Sequence, residues 1–270
     1  MHLRPLTRTA SLSALAVVLT SALATAAAPA SAAAPVYAAL GDSYSSGVGT
    51  NNYYSDSGSC KRSSQGYPSL WSASHAAVLT FAACSGAKTA DVLNNQLGGL
   101  SAATTMVTIT IGGNDAGFTT VMQNCVLQSD AGCKSAVDSA VAFARGTLPG
   151  RLDNVYTAIR GRAPNATVVV LGYPHFYRIG GTCVVGISDT KRGYINYGAD
   201  VLASVTATEV AKFGGFRYVD TRGVYTGHEI CASGEWWLHS VDWFHLSESY
   251  HPTVNGYRYG YLAALNASIG

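Results

Sequence analysis

The chain has 270 residues, 48% of them hydrophobic and only 12% charged, with a formal net charge of +2. So weak a positive balance does not favour a polyanionic partner, and nucleic acid binding is not expected. The length suits one α/β domain with a sizeable core.

Residues 1–32 carry Arg4 and Arg8 ahead of an apolar stretch from Leu12 to about Ala28, and they end in Ala30-Ser31-Ala32. This is the small-x-small pattern of signal peptidase cleavage. The apolar run is too short and too rich in alanine for the roughly 20 residues that a spanning helix needs. Residues 1–32 are therefore predicted to be a signal peptide, and residues 33–270 a single exported domain with no transmembrane segment after cleavage. Losing the two leader arginines from 17 leaves 15 basic residues against 15 acidic ones, a net charge of zero.

All six cysteines, Cys60, Cys84, Cys125, Cys133, Cys183 and Cys231, lie in the exported part. An even count outside the cytoplasm implies three disulfides. A metal centre is not expected, because there is no Cys-x-x-Cys pair and no close cysteine–histidine cluster. Six cysteines allow many pairings. Sequential ones are favoured, since Cys125 and Cys133 are near neighbours across a Gln-Ser-Asp-Ala-Gly turn.

Five apolar segments have the length and composition of buried strands: Val36 to Leu40, Val78 to Ala83, Met106 to Ile111, Thr167 to Leu171 and Phe216 to Val219. Helices are expected over residues 66–77, 88–97, 135–161 and 189–212, with a terminal one from Thr253 to Ala267. Pro252 suits the first position of that last helix, which puts His251 at or beside its cap. The alternation predicts α/β architecture, a parallel sheet with helices on both faces.

The polar residues fall at the strand ends. The first strand runs into Gly41-Asp42-Ser43, the second into Cys84-Ser85-Gly86 and the third into Gly112-Gly113-Asn114-Asp115. Ligands of open α/β sheets bind at the carboxyl ends of the strands, so three ends should converge on one crevice. A serine there becomes nucleophilic only with a base to take its proton and fixed donors for the oxyanion. Three other patterns fail. Gly47-Val48-Gly49 has Asn52 where a dinucleotide loop needs its third glycine, Gly86-Ala87-Lys88-Thr89 lacks the Gly-Lys pair of a P-loop, and His228-Glu229 is followed by Ala232 where a zinc protease needs histidine.

Gly-Asp-Ser-Tyr-Ser near the mature start, Gly-Gly-Asn-Asp at 112–115 and His251-Pro252 near the end together resemble the GDSL or SGNH hydrolases. The likeness spans nearly the whole mature chain and is strongest to the secreted lipases and phospholipases of actinobacteria. It implies a three-layer α/β/α, flavodoxin-like domain. It also implies Ser43 as nucleophile, His251 as general base, and the Ser43 and Gly86 amides with the Asn114 side chain as oxyanion hole. A close approach of backbone N–H is easiest at glycine, and an asparagine amide is a neutral donor.

One departure stands out. The family places Asp three residues before the histidine, whereas this chain has Glu248. Either Glu248 or a backbone carbonyl such as that of Ser249 would then orient the imidazole, and the carbonyl is favoured. His175, His228, His239 and His245 are expected to be structural or substrate-loop residues. The aromatic-rich run from Glu235 to Phe244 suits core packing or the wall of an acyl pocket equally well.

The expected function is that of a secreted, extracellular serine carboxylic-ester hydrolase of lipase or phospholipase A type. It should be monomeric, work through an acyl-enzyme, need no cofactor or metal, and act on lipid or other esters, including those at a lipid–water interface. The alternatives are a carbohydrate or short-chain acetyl esterase of the same fold, and an inactive secreted binding protein.

Overall fold

The structure is a computed structural model that describes residues 1–3 and 33–269. The predicted leader lies outside the described residues apart from its first three. From Ala34 onward the chain forms one compact unit.

Five strands form its sheet: β1 (Val36–Gly41), β2 (Val78–Phe81), β3 (Met106–Thr110), β4 (Thr167–Leu171) and β5 (Phe216–Val219). All pairings are parallel, in the order β2-β1-β3-β4-β5. β1 and β3 are buried over nearly their whole length; β1 accordingly reads as a continuous apolar run, whereas β3 buries Thr108 and Thr110 among its apolar residues. Leu40 faces Ile109 across the β1–β3 ladder, so the two strands end side by side. That register brings the segments after β1, β2 and β3 together at one edge.

The helices are α1 (Ser43–Ser46), α2 (Tyr67–Ser74), α3 (Thr89–Asp91), α4 (Phe118–Leu127), α5 (Asp130–Gly146), α6 (Leu148–Arg162), α7 (Asp189–Val210) and α8 (Leu262–Ile269). α2 and α8 pack together on one side of the sheet, and α5, α6 and α7 pack against one another on the other. The outcome is a three-layer α/β/α domain.

Three expectations need correction. The helix foreseen over 135–161 is two helices, α5 and α6, because Pro149 at the start of α6 cannot donate to an α5 carbonyl. α4 was not foreseen at all. The last helical stretch begins at 254 and passes through a π-helical segment, Gly256–Tyr261, into α8; Thr253 rather than Pro252 caps it, its Oγ1 accepting from Gly256 N–H at 3.1 Å. His251 thus sits in the preceding loop.

The disulfides join Cys60 to Cys84, Cys125 to Cys133 and Cys183 to Cys231. The first ties the loop after α1 to the loop after β2. The second staples α4 to α5, and the third links the loops that follow β4 and β5.

Candidate active site

β1 delivers Ser43 through a turn with little freedom. Gly41 has φ +114°, and a Cβ there would lie 2.3 Å from the Thr110 carbonyl oxygen, so only glycine allows β1 to end so close to β3. The Asp42 carboxylate then accepts from Tyr44 N–H at 3.0 Å and caps the single turn of α1. Its other oxygen accepts from the Tyr173 hydroxyl, which itself accepts from Gly113 N–H at 3.0 Å. Burial pushes the Asp42 carboxyl up to about 7, against those two hydrogen bonds.

His251 Nε2 and Ser43 Oγ lie 2.7 Å apart. This is hydrogen-bonding distance for a hydroxyl and the base that would take its proton. The imidazole is placed from the turn that carries Ser43. Tyr44 donates its hydroxyl to the Tyr250 carbonyl at 2.5 Å, and its ring lies 5.2 Å from the His251 ring. Tyr250 is one of the few non-glycine residues with positive φ, at +67°. Backbone bonds from Tyr250 N–H to the His239 carbonyl and from His239 N–H to the His251 carbonyl, 3.0 and 2.9 Å, hold the loop on the other side.

The Glu248 carboxylate is not at the imidazole. It is buried and accepts from Gly49 N–H at 2.6 Å, from the Tyr53 hydroxyl, and from Lys61 Nζ at 2.7 Å. Burial alone would raise its pKa, but those donors together hold it below the usual glutamate value. Among the described residues no acceptor meets hydrogen-bonding geometry at His251 Nδ1. The Glu248 charge and the Ser249 carbonyl favour the protonated ring, yet burial outweighs both and pushes its pKa down to about 4.

Gly86 sits in a tight turn in which Ala87 N–H donates to the Cys84 carbonyl at 3.1 Å. Its φ is +79°, and a Cβ there would point into open space, so backbone conformation rather than crowding calls for glycine. Neither the Ser43 nor the Gly86 N–H finds a protein acceptor among the described residues. Asn114 Nδ2 donates one hydrogen to the Ala87 carbonyl at 3.0 Å, which fixes the amide and leaves its second hydrogen uncommitted. Asp115 clamps the two loops together, its oxygens accepting from Thr89 N–H at 2.9 Å and Thr89 Oγ1 at 2.6 Å.

Ser43, Gly86, Asn114 and His251 line one open cleft of about 460 Å³, whose outer wall includes Val241 and Trp243. A second, narrower cavity of about 70 Å³ leads from Ser43 and Asn114 inward between the helices. Phe118 and Met122 of α4 face both. The aromatic run is divided in the same way, because Trp236 and Trp237 are half-buried while Trp243 and Phe244 are exposed.

The other histidines lie elsewhere. His175 pairs with Asp200, His228 stacks on Trp237, His245 bonds to Asp242, and His239 Nε2 lies 2.7 Å from the Gly49 carbonyl. Ser249 Oγ accepts from Asp242 N–H. Among the described residues no group of three His, Cys, Asp or Glu side chains could hold a metal ion, and no helix is long and apolar enough to cross a membrane.

Tyr44 and the true partners of Glu248 were missed in the sequence. The signal for Tyr44 was its place directly after Ser43. Gly49, Tyr53 and Lys61 gave none.

Residues 39–259 match the family model described as the GDSL-like lipase/acylhydrolase family. The chain is 54% identical over 233 residues to Lipase 1 of Streptomyces coelicolor, an alignment covering 86% of each protein. It is also similar to the crystal structure of phospholipase A1 from Streptomyces albidoflavus, at 53% identity and a TM-score of 0.84, over 87% of this chain and all of that one. The extracellular lipase of Streptomyces rimosus is a comparable match, at 51% identity and a TM-score of 0.84, with the same coverage.

Proposed function

This chain belongs to the GDSL-like lipase/acylhydrolase family, and we propose that it is a secreted serine hydrolase that cleaves acyl esters of lipids, of lipase or phospholipase A type. The observation that carries the assignment is the 2.7 Å contact between His251 Nε2 and Ser43 Oγ, set beside two unpaired backbone N–H groups and a fixed asparagine amide in one cleft.

In this scheme Ser43 Oγ attacks the ester carbonyl carbon while its proton passes to His251 Nε2. The carbonyl π pair moves onto oxygen, where the Ser43 and Gly86 N–H groups and Asn114 Nδ2 receive the charge. Collapse breaks the bond to the alcohol, which leaves with the proton from His251. Water, deprotonated by the same histidine, then attacks the acyl-enzyme and releases the carboxylic acid. No step uses a metal or cofactor. In this scheme the imidazole works as half of a dyad, placed by Tyr44 and Tyr250 rather than by a carboxylate.

Export from the cell is part of this reading, supported by the leader pattern predicted over residues 1–32 and by three disulfides that suit an oxidising compartment. The test is a panel of triacylglycerols, phospholipids and nitrophenyl esters, run on wild type and on Ser43→Ala. Wild type should turn over members of the panel and take up an organophosphonate stoichiometrically. Ser43→Ala should lose turnover by about 10³-fold or more with an unchanged thermal midpoint. If the variant kept a tenth of wild-type turnover, Ser43 would not be the nucleophile.

A further inference from the structure

Each of the first three strand ends supplies one donor of the oxyanion hole in the scheme above, and the three loops are tied together unequally. The Gly86 loop is bound on both sides. Ser85 N–H donates to the Cys60 carbonyl at 3.1 Å beside the Cys60–Cys84 bridge, and the Ala87 carbonyl accepts from Asn114 Nδ2 at 3.0 Å. The turn of Ser43 and the loop of Asn114 have no such tie. Their strands part after Asp42 N–H donates to the Thr110 carbonyl at 3.0 Å, and among the described residues no hydrogen bond then runs directly between residues 43–47 and 111–117.

Tyr173 bridges that gap from a third strand. Just past the end of β4, the Gly172 carbonyl accepts from Thr221 Oγ1 at 3.0 Å and from the Tyr261 hydroxyl at 2.7 Å, which holds the backbone before Tyr173. The Tyr173 hydroxyl accepts from Gly113 N–H at 3.0 Å and donates to the Asp42 carboxylate, whose other oxygen accepts from Tyr44 N–H at 3.0 Å. Gly113 directly precedes Asn114, while Asp42 and Tyr44 bracket Ser43. One phenol oxygen thus joins the two loops. Burial and the Asp42 charge hold that phenol well above its usual pKa, so it stays a donor. A Cβ on Gly113 would lie 3.0 Å from Tyr173 Cζ and Oη, so glycine at this position lets the hydroxyl come so near. Burial in this core does not by itself demand such partners, because the hydroxyl of the fully buried Tyr156 has none among the described residues.

We propose that Tyr173 is the positioning residue of the oxyanion hole: its hydroxyl sets the separation between the Ser43 N–H and the Asn114 side chain, and it acts through them without touching the reacting atoms. The proposal rests on the ester-hydrolase reading above. Donors of this kind work only where they meet the developing charge at hydrogen-bonding distance, and a displacement of about 1 Å costs about 10²-fold in rate.

The experiment compares kcat and KM of wild type, Tyr173→Phe, Asn114→Ala, the double variant and Tyr156→Phe on one nitrophenyl ester, each normalised to the chains that take up an organophosphonate. Tyr173→Phe keeps the ring and should lose about 10–100-fold in kcat with KM within about threefold, whereas Tyr156→Phe should change neither. An alkyl boronic acid gives a second readout. Ser43 Oγ bonds to its boron as the proton passes to His251, and the anionic adduct places a boron-bound oxygen in the hole. Its inhibition constant should rise in Tyr173→Phe at least tenfold, in step with the loss of kcat. With Asn114 gone the separation no longer matters, so the double variant should fall within about threefold of Asn114→Ala alone. Losses that multiply in the double variant, or a KM that rises while kcat and boronate affinity hold, overturn the proposal and leave Tyr173 as core or pocket wall. Should Tyr173→Phe not fold, Gly113→Ala carries the test, since it retains the hydroxyl but presses a methyl against the ring. Its kcat should fall at least threefold at unchanged KM, and wild-type kcat there overturns the proposal. Failure of the ester-hydrolase reading looks different, because the wild type would then neither take up the phosphonate nor hydrolyse any ester.

Discussion

Ser43 and His251 touch, yet the chain reaches the two sites by opposite means. Ser43, the proposed nucleophile, is placed by what lies within a few residues of it: a buried strand, a glycine that lets β1 end against Thr110, and an aspartate that caps the next turn. His251, the proposed base, is placed by residues far away in sequence. Tyr44 holds the carbonyl of Tyr250 across 206 positions, and Glu248 anchors its loop to Gly49, Tyr53 and Lys61. Local placement is stiff because the backbone has few alternatives, whereas remote placement is only as stiff as the side chains that make it.

The comparison is tested most strongly at the oxyanion side. Asn114→Ala should lower kcat by about 10²–10³-fold with a smaller change in KM, because the donor acts mainly in the transition state. A pure rise in KM would mean that the amide binds substrate instead. Tyr44→Phe probes the link between the two halves. It leaves the Tyr250 carbonyl without its donor, which costs about 1–3 kcal/mol where a buried group goes unpaired. Urea unfolding should show that loss, and kcat should fall by about tenfold while KM hardly moves. If only stability fell, Tyr44 would be a core residue and not a positioning one.

Glu248→Gln should cost less than tenfold in kcat, because the carboxylate holds the loop and does not touch the imidazole. A fall of a thousandfold or more, with an unaltered circular dichroism spectrum, would restore an acid–base–nucleophile triad. The burial that holds His251 near a pKa of about 4 also predicts that kcat/KM stays flat down to about pH 5 instead of declining near 6.5.

The smallest effect concerns stability. Asp42, raised to about 7 when folded, binds a proton in the native state that the unfolded chain has already released, so its contribution worsens as pH rises from about 4 to about 7. His251 has the opposite sign, since its depressed folded value means that stability is lost as pH falls from about 6.5 towards about 4. The isosteric Asp42→Asn should therefore match wild type in thermal midpoint at pH 4 and exceed it at pH 8. Equal midpoints at both values would mean that Asp42 is ionised and well solvated.

What could be read from sequence follows the same division. The five strands were legible because a parallel sheet covered on both sides demands apolar runs, such as Tyr37 to Leu40 and Val168 to Leu171. The convergence of Ser43, Gly86 and Asn114 followed from strand ends alone. α4 was missed although Phe118, Val121, Met122 and Cys125 have helical spacing, since the Gly-Asn-Asp-Ala-Gly segment before it has loop composition. The loop bearing His251 was the hard part. No periodicity encodes a positive φ at Tyr250, and the partners of Glu248 lie 187 to 199 residues away.

Because Tyr44 directly follows Ser43, one short stretch of backbone sets the position of both reacting groups. When the end of β1 shifts in thermal motion, Ser43 Oγ shifts with it, and the Tyr44 hydroxyl carries the Tyr250–His251 segment in the same direction. The displacement is common-mode, and the gap across which the proton jumps is largely cancelled out of it. A loop with no regular secondary structure can then hold the 2.7 Å contact between His251 and Ser43 without being rigid itself.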